Sequence, residues 1–443
     1  MGEVAKVAMY VQTEYAKKTY SVESYNVRMF PGSEMVIHEL TKNGIHVDYC
    51  SSANVGKYKV ILVSITSQCD WLSFCAERLT WEKGDYKVIV GGFGVLNYKP
   101  FITLCDYFYF GRSENDIHLL VNELLKDGEI NERTHVVNVK KIKSQYTIRQ
   151  SESPYQDGYI LSNGDKFTES VVGCQRKCLF CSYTWHRKFT GGLQKDSGVF
   201  QGDSEKTMFE IIAGDHSNLS ALRMVGLDGI SERIRYNVNK RISNHDVIEF
   251  FKIMNDKAKP HHIKFYNICG YWDECDDDYK DFAETIKGID NSISTGKWCI
   301  ELHSTPFRPM PATPLSHMPT QYYNFRKNIS KKLRKHTGYM SDNSVFYNGK
   351  NIFGLETMGT ESLSTVIIDM IVLRGTENDG ETFKKLSQTK KFMSLDTTGK
   401  IKTLEKYFDV NKLFGKYDIG TLPTEYLGTY VDVSKIGLKN ART

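Results

Sequence analysis

The sequence predicts an α/β protein with more than one domain, and two observations lead to this fold class. Short apolar, β-branched segments alternate with segments of helical apolar spacing over the first 127 residues, and the alternation resumes after residue 160. Strands that alternate with helices indicate parallel sheets covered by helices. The length of 443 residues is sufficient for two or three domains.

The N-terminal series predicts a doubly wound, Rossmann-like sheet. Gly44 follows its first helix and fits a left-handed C-terminal cap. The alternation is lost over residues 128–150, so we place the domain boundary there. Strands are predicted at residues 4–11, 45–49, 60–65, 87–92 and 106–111, and helices at 32–44 and 114–125.

The second series predicts a partial β/α barrel. One of its helices opens with the S-x-x-D pattern of a capping box, and another opens with acidic residues that the helix dipole favours. Strands are predicted at 221–229, 262–270 and 298–304, and helices at 203–214, 243–254 and 273–286. The predicted units are a doubly wound domain (1–130), a linker (131–160), the partial barrel (161–320) and a small α+β cap (321–443).

Composition narrows the class of protein. Hydrophobic residues make up 40% and charged residues 25% of the chain, as in ordinary globular proteins. No apolar run is long enough to span a membrane, and the first residues do not resemble a secretory signal. The formal charge of +5 permits a polyanionic partner without requiring one. Ten cysteines in so long a chain suit a cytoplasmic protein with clustered metal ligands better than a disulfide scaffold.

Three cysteines are packed closely in the segment ESVVGCQRKCLFCSYTW. Cys174, Cys178 and Cys181 have C-x3-C-x2-C spacing. A zinc site needs four protein ligands, and His186 could supply the fourth. A [4Fe–4S] cluster on three thiolates explains the spacing better, because its fourth iron stays open for an exogenous ligand. Phe180, before the last cysteine, could cover a flat adenine and also favours the cluster.

The second strand–helix series starts at FTESVVGC (167–174), the predicted first strand of the barrel. The cysteine motif at its end resembles the radical S-adenosylmethionine (SAM) superfamily. Three later segments, 226–243, 263–274 and 304–315, match the branch that carries an N-terminal cobalamin-binding-like domain. They read GLDGISERIRYNVNKRIS, IKFYNICGYWDE and STPFRPMPATPL, and the N-terminal domain matches at VILVSITSQCD, VIVGGFG and DYFYFGRSENDI. The resemblance covers roughly residues 1–320.

The resemblance implies an enzyme whose cluster binds SAM and cleaves it to a 5′-deoxyadenosyl radical that abstracts hydrogen from an unreactive carbon. It also implies an electron donor of the reduced flavodoxin or ferredoxin type. The Gly-Gly-Glu pattern of the family is absent, and FTGGLQ (189–194) matches it imperfectly. By carry-over, Cys174, Cys178 and Cys181 bind the cluster, Phe180 packs on adenine, and Asp228, Ser231, Glu232 and Arg233 meet the ribose or methionine part of SAM.

Cobalamin is expected at the carboxyl edge of the first sheet, where open α/β sheets bind ligands. The D-x-H-x-x-G motif of many cobalamin domains is missing from the first strand–helix loop, and Asp116 and His118 form D-x-H only within a predicted helix. Two alternatives therefore stay open, a cobalamin site and a domain that keeps only the fold. The candidate contacts are Ser64, Thr66, Gly91, Gly92 and Gly111.

Two other functions remain as alternatives. A methylthiotransferase-like enzyme would need a second cluster, for which Cys50, Cys69, Cys75 and Cys105 are available, although not at that family's positions. A non-catalytic zinc protein that binds nucleic acid would use the three clustered cysteines and His186.

The segment 320–339 is the strongest charge feature of the chain. Its apolar residues fall on one helical stripe, so it is either an amphipathic helix on the barrel or a row of phosphate contacts with a nucleic acid. The reaction also stays open between C-methylation, rearrangement and another hydrogen abstraction, on a nucleic acid base or another substrate. The stripe is Tyr322, Phe325, Ile329 and Leu333, and the cations are Arg326, Lys327, Lys331, Lys332, Arg334 and Lys335.

Overall fold

The computed structural model describes both predicted sheets and most of the segments that join them. Much of the predicted helix 203–214, residues 192–194 of FTGGLQ, Cys69 and most of 320–339 lie outside the described residues. The described ranges are 6–10, 31–66, 70–142, 146–150, 153–155, 158–160, 166–169, 171–174, 176–191, 208, 211–216, 219, 222–293, 298–320, 331–332, 335–336, 345–347, 352–357 and 370–415.

The first sheet has six strands in the order β2-β1-β3-β4-β5-β6. The first five are parallel, and β6 pairs antiparallel with β5. The order 2-1-3-4-5 is that of flavodoxin-like doubly wound sheets, which confirms the predicted α/β class and Rossmann-like sheet. The strands are β1 Val7–Tyr10, β2 Val47–Cys50, β3 Val60–Ser64, β4 Lys87–Gly91, β5 Tyr107–Tyr109 and β6 Val136–Asn138.

Helices cover both faces of this sheet: α1 Pro31–Lys42, α2 Asp70–Arg78 and α3 Ile117–Asp127. Alternate residues of β3 enter different cores, because successive side chains of a strand point to opposite faces. Val60 and Leu62 pack with α1 and α3, whereas Ile61 and Val63 pack with α2.

The segment 128–150, where the predicted alternation is lost, contains the short strand β6. Val136 and Val137 are buried in the first sheet, which therefore extends past residue 130. A strand of three residues is too short to show an alternating pattern. The same segment returns to β5, where Gly111 and Arg149 form an isolated β-bridge.

The second sheet has the order β11-β12-β13-β15-β14, with β14 antiparallel to β15 and the other neighbours parallel. The short strand before the cysteines, β9 Val171–Val172, pairs antiparallel with β10 Thr190–Gly191 and not with β11. Closure into a barrel and the C-terminal cap stay predictions. The strands are β11 Met224–Gly226, β12 His262–Cys269, β13 Cys299–Pro306, β14 Val345–Tyr347 and β15 Ile352–Thr357. Two further short strands, β7 Tyr159–Ile160 and β8 Lys166–Phe167, pair antiparallel with each other.

Helices α5 Glu232–Asn237, α6 Asn244–Lys257 and α7 Asp276–Ser292 accompany the second sheet. The capping box predicted at Ser243 is confirmed, since its side chain and that of Asp246 exchange hydrogen bonds with each other's backbone. Both long helices extend beyond their predicted ends, α6 by three residues and α7 by six.

Four further helices lie near the C-terminus: α8 Glu377–Ser387, α9 Lys390–Met393, α10 Thr397–Tyr407 and α11 Val410–Phe414. They share an apolar core with the preceding Met370, Ile371 and Leu373. Among the described residues, no helix is long and apolar enough to cross a membrane.

Candidate functional site

The cysteine loop runs from β9 to a short helix, α4 Ser182–His186. Gly173 opens the loop with a φ of 75°, and a Cβ there would lie 2.7 Å from the carbonyl oxygen of Arg187, so the position requires glycine. Helix α4 holds the loop from the other side. Trp185 donates its indole N–H to the Cys178 carbonyl at 2.8 Å, and Thr184 donates its hydroxyl to the Cys174 carbonyl at 3.0 Å.

Backbone amides point at two of the three sulfur atoms. The Arg176 amide donates to Cys174 Sγ at 3.4 Å. Burial raises the pKa of the Cys181 thiol, and hydrogen bonds from the amides of Thr184 and Tyr183 oppose that rise. Amides that donate to sulfur stabilise thiolates, and such bonds are among the groups that tune Fe–S clusters. The three cysteines, two of which accept hydrogen bonds from backbone amides, therefore suit the role of cluster ligands.

The surroundings of His186 bear on the zinc alternative. Within the described part of the chain, no group of three or more Cys, His, Asp or Glu side chains could hold one ion. His186 lies with Nε2 3.0 Å from the carbonyl oxygen of Pro311 and 3.2 Å from that of Ala312. Burial lowers its pKa to about 3, so the ring is neutral. The described residues thus do not form the Cys3His group that the zinc alternative requires, whereas a cluster spreads its three thiolates over three irons.

Asp228 lies beside this loop at the carboxyl end of β11. Its φ of 55° is in the left-handed region, which is uncommon outside glycine. The Tyr271 hydroxyl donates to its carbonyl at 2.8 Å, and Nζ of the buried Lys240 lies 2.8 Å from its carboxylate. The negative charge of Asp228 contributes to the raised pKa of Cys181, so the two side chains are neighbours.

The other predicted SAM contacts of this segment bind the protein itself. Ser231 caps α5 by accepting from the Ile234 amide at 3.1 Å and donates to Asp278 at 2.6 Å. Arg233 donates to both carboxylate oxygens of Asp278, at 3.0 and 2.7 Å, and to Asp273 at 2.9 Å.

Glu232 completes this network by accepting from the Asn244 amide at 2.7 Å. The segment therefore ties α5 to α6 and α7, which the sequence motif did not indicate. Phe180 is half-buried and packs against the apolar core of the second sheet. Its role toward adenine, and the roles of Ser231, Glu232 and Arg233 toward SAM, stay predictions.

The predicted cobalamin residues lie at the carboxyl edge of the first sheet, as expected from their positions after the strands. Ser64 and Gly91 end β3 and β4. The amide of Thr66 donates to the Asp70 carboxylate at 2.8 Å, so Thr66 leads into α2. A Cβ at Gly91 would make only an ordinary contact, 3.7 Å from Cβ of Tyr109.

Two of the glycines are required by the protein's own backbone. Gly92 has a φ of 103°, and a Cβ there would lie 2.5 Å from the Ile65 carbonyl oxygen. Gly111 has a φ of 97°, and a Cβ would lie 2.2 Å from the carbonyl oxygen of Arg149. The backbone thus requires glycine at both positions whether or not a cofactor binds, and the cobalamin roles of Gly91, Gly92 and Gly111 stay predictions.

This edge of the first sheet contacts the helix that follows the cysteines. The ring of Phe93, just after β4, lies 5.3 Å from the ring of His186 and 6.3 Å from that of Tyr183. The Arg187 guanidinium lies 5.3 Å from the Phe93 ring, and Gln150 donates to the His186 carbonyl at 3.1 Å. The cysteine loop and the predicted cobalamin edge are thus neighbours.

A buried acid that the sequence did not single out lies at the carboxyl end of β12. Glu274 accepts from the Gly270 amide at 2.8 Å and from the Tyr279 hydroxyl. Burial raises its pKa to about 7, against the lowering effects of these two hydrogen bonds and the charge of Lys332. The available signal was an acid placed directly after a strand and a glycine turn.

The described part of the basic segment lies on α7. Nζ of Lys332 is 4.8 Å from the Tyr279 ring, and Lys335 and His336 lie 2.5 and 2.9 Å from the Asp276 carboxylate. These contacts agree with the amphipathic-helix alternative for Lys332, Lys335 and His336.

The cysteines of the two-cluster alternative lie apart from this site. Burial raises the pKa of Cys50 to about 12 and raises those of Cys75 and Cys105 further. All three are buried in the core beneath the first sheet. Within the described residues they form no metal-binding group, and Cys69 is outside that part of the chain.

Comparison with known proteins finds only a weak structural likeness. No family model and no curated protein sequence matches the chain. Two solved structures of the cobalamin-dependent S-adenosylmethionine radical enzyme OxsB are similar, one with aqua-cobalamin and one apo. The first is 10% identical with a TM-score of 0.25 and covers 90% of this chain and 56% of that one. The second is 12% identical with a TM-score of 0.25 and covers 88% and 60%.

This chain therefore spans less than two thirds of the OxsB chains. TM-scores this low do not establish a shared fold, and the two structures carry no argument about the residues of this chain.

Proposed function

We propose that this chain is a radical SAM enzyme with a [4Fe–4S] cluster on Cys174, Cys178 and Cys181. The observation that carries the proposal is the cysteine loop, in which three closely spaced thiols lie near Asp228 and backbone amides donate to the sulfur atoms of Cys174 and Cys181. When bound, such a cluster supplies the open iron and the electron for reductive cleavage of SAM.

The protein's own residues have the task of holding the loop and orienting SAM. Trp185 and Thr184 fix the loop through carbonyl groups, so the thiols stay available as ligands. Asp228 is our choice for the direct ribose contact, because its carboxylate lies near Cys181 and is held by Lys240. Ser231 and Arg233 support that position by fixing α5 against α7.

In this proposal, the reaction outcome depends on whether the first sheet binds cobalamin. Its carboxyl edge meets α4 through Phe93, so a cobalamin at Ser64, Thr66 and Gly91 would lie near the cysteine loop. Cobalamin binding would direct the enzyme to C-methylation, and an empty domain would leave rearrangement or another hydrogen abstraction from an unreactive C–H position.

SAM cleavage without substrate tests the proposal. Anaerobically reconstituted, dithionite-reduced protein should release 5′-deoxyadenosine slowly. Phe180→Ala should weaken SAM binding and retain the iron, because only an aromatic face is lost. Leu179→Met, a volume-conserving change at the neighbouring buried position, is the matched control. Protein with a full complement of iron and sulfide that releases no 5′-deoxyadenosine would refute the proposal, and unchanged SAM affinity in Phe180→Ala would remove that residue from the site.

A further inference from the structure

A guanidinium group without a carboxylate partner lies between the first sheet and the helix that follows the cysteines. It belongs to the half-buried Arg187, just after α4. The group is 5.3 Å from the ring of Phe93 and 5.1 Å from the ring of Tyr183. Within the described part of the chain, none of its N–H donors bonds to a carboxylate or a carbonyl oxygen. These donors are therefore available to another molecule.

The nearby Arg112 is paired in the way that Arg187 is not. Its Nε donates to Glu114 at 2.9 Å, and its two terminal nitrogens donate to Glu169 at 2.8 and 2.5 Å. Burial lowers the pKa of Arg187 and the charge of Arg112 lowers it further, whereas Tyr183 and Glu169 oppose the fall. Glu169 thus lies near both arginines and uses both carboxylate oxygens for Arg112.

The backbone around Arg187 is held in place. A Cβ at Gly173, which opens the cysteine loop, would lie 2.7 Å from the Arg187 carbonyl oxygen, so the two backbones are packed together. Gln150 donates to the His186 carbonyl at 3.1 Å and accepts from the Lys188 amide at 2.6 Å. The residues on both sides of Arg187 are therefore fixed, which reduces the entropy lost when the side chain binds a ligand.

The surroundings of the guanidinium are accessible to a small anion. Tyr183 is 37% exposed, and Gly92, the residue before Phe93, is also exposed. A guanidinium packed against aromatic rings keeps its N–H edge for hydrogen bonds, and its planar fork matches the oxygens of a carboxylate or a phosphate. The contacts of Arg187 therefore favour an oxyanion as the missing partner.

We infer that Arg187 binds an oxyanion of the substrate, a carboxylate or a phosphate group, between the carboxyl edge of the first sheet and α4. The inference rests on the proposed function, in which the substrate must reach the cysteine loop, and the backbone of Arg187 packs against the start of that loop at Gly173. No bond is made or broken at Arg187, which orients the substrate through its anionic group. The sequence motifs assign no role to this residue.

Anion titration tests the site without a catalytic step. Inorganic phosphate and acetate are titrated separately by calorimetry at constant ionic strength, and the wild type should bind at least one of them. Arg187→Gln should weaken that binding about tenfold or more, because a charge-assisted bidentate contact is lost. Arg187→Lys keeps the charge without the planar fork and should show a smaller loss. Lys188→Gln, at the exposed neighbouring residue, is the matched control and should bind as the wild type does.

The outcomes separate the site from the source of the anion. No binding of either anion by the wild type, or equal affinity in Arg187→Gln, would overturn the inference. If Arg187→Gln does not fold, unchanged affinity in Arg187→Lys would overturn it instead. Saturating anion should leave SAM affinity and any hydroxocobalamin retention unchanged, and displacement of either cofactor would contradict the assignment to the substrate. Anion binding that depends on Arg187 in protein unable to cleave SAM would refute the proposed function alone.

Discussion

At the scale of single residues, the site depends on backbone conformations and on the burial of side chains, neither of which the residue types alone reveal. Asp228, Lys177 and Asn239 adopt left-handed backbone conformations around the cysteine loop. Glu274 is buried at the end of a neighbouring strand, where loss of hydration raises its pKa. Each of these features has a cost in stability, which makes it measurable.

Glu274 should make stability fall as pH rises. Its folded pKa of about 7 lies above the ordinary value of 4.5, so between these pH values the folded state binds more protons than the unfolded state. The free energy of unfolding should decrease over that window by at most about 3 kcal/mol and level off above it. Urea unfolding from pH 4.5 to 8 should show this slope in the wild type and lose it in Glu274→Gln. The exposed Glu284→Gln is the control, and an unchanged slope in Glu274→Gln would assign the effect elsewhere.

The two adjacent glycines after β4 should respond differently to substitution. Gly92→Ala places a Cβ against the Ile65 carbonyl in a left-handed backbone and should cost about 1–3 kcal/mol or more. Gly91→Ala meets only an ordinary contact and should change stability by less than about 0.5 kcal/mol. Thermal unfolding of both variants measures the difference, and equal losses would contradict it. Hydroxocobalamin retention should therefore be tested with Gly91→Arg, where a lost cofactor is not confused with a damaged backbone.

At the scale of secondary-structure elements, the sequence predicted what depends on periodicity and local capping. The parallel strands of the first sheet and the capping box of α6 follow from residue patterns and are confirmed. Short β6 was missed because two buried valines do not establish a period. The requirement for glycine at residues 92 and 111 was not predictable, since the clashing carbonyls come from segments distant in sequence.

In helix α7, too, the local sequence pattern was predictable and the tertiary contacts were not. Its acidic first turn was predicted from the dipole, but the use of Asp278 to hold Arg233 and of Asp276 to hold Lys335 depends on tertiary contacts. Ser231 and Arg233 were predicted from a sequence motif, and their bonds to Asp278 could not be read from that motif because they join segments distant in sequence.

The basic segment should behave as a helix bound to α7. Lys332 and Lys335 face Tyr279 and Asp276, so replacing both by Gln should leave the salt dependence of any nucleic-acid binding unchanged. Each phosphate contact would otherwise contribute about 0.7 to 0.9 to the slope of log K against log salt. Fluorescence anisotropy with single- and double-stranded DNA and RNA measures the slope, with Lys252→Gln on α6 as control. A slope reduced by one or more in the double variant would instead assign these lysines to phosphates.

At the scale of the whole molecule, the account depends on two adjoining surfaces. The carboxyl edge of the first sheet meets α4 through Phe93, and Asp228, which follows β11 of the second sheet, lies near Cys181 of the cysteine loop. Sequence motifs predicted each surface separately. Their contact could not be predicted, because Phe93 and Arg187, which make it, come from segments distant in sequence.

The iron and sulfide content after anaerobic reconstitution tests the central claim most directly. The account predicts about four irons and about four sulfides per chain, with brown thiolate-to-iron absorption, because one cluster on three thiolates requires them. Cys178→Ala should abolish the absorption, and Cys299→Ala, at a half-buried cysteine distant from the loop in sequence, should retain it. Stoichiometric zinc without sulfide would contradict the account, and about eight irons would require the second cluster that the buried cysteines of the first domain do not indicate.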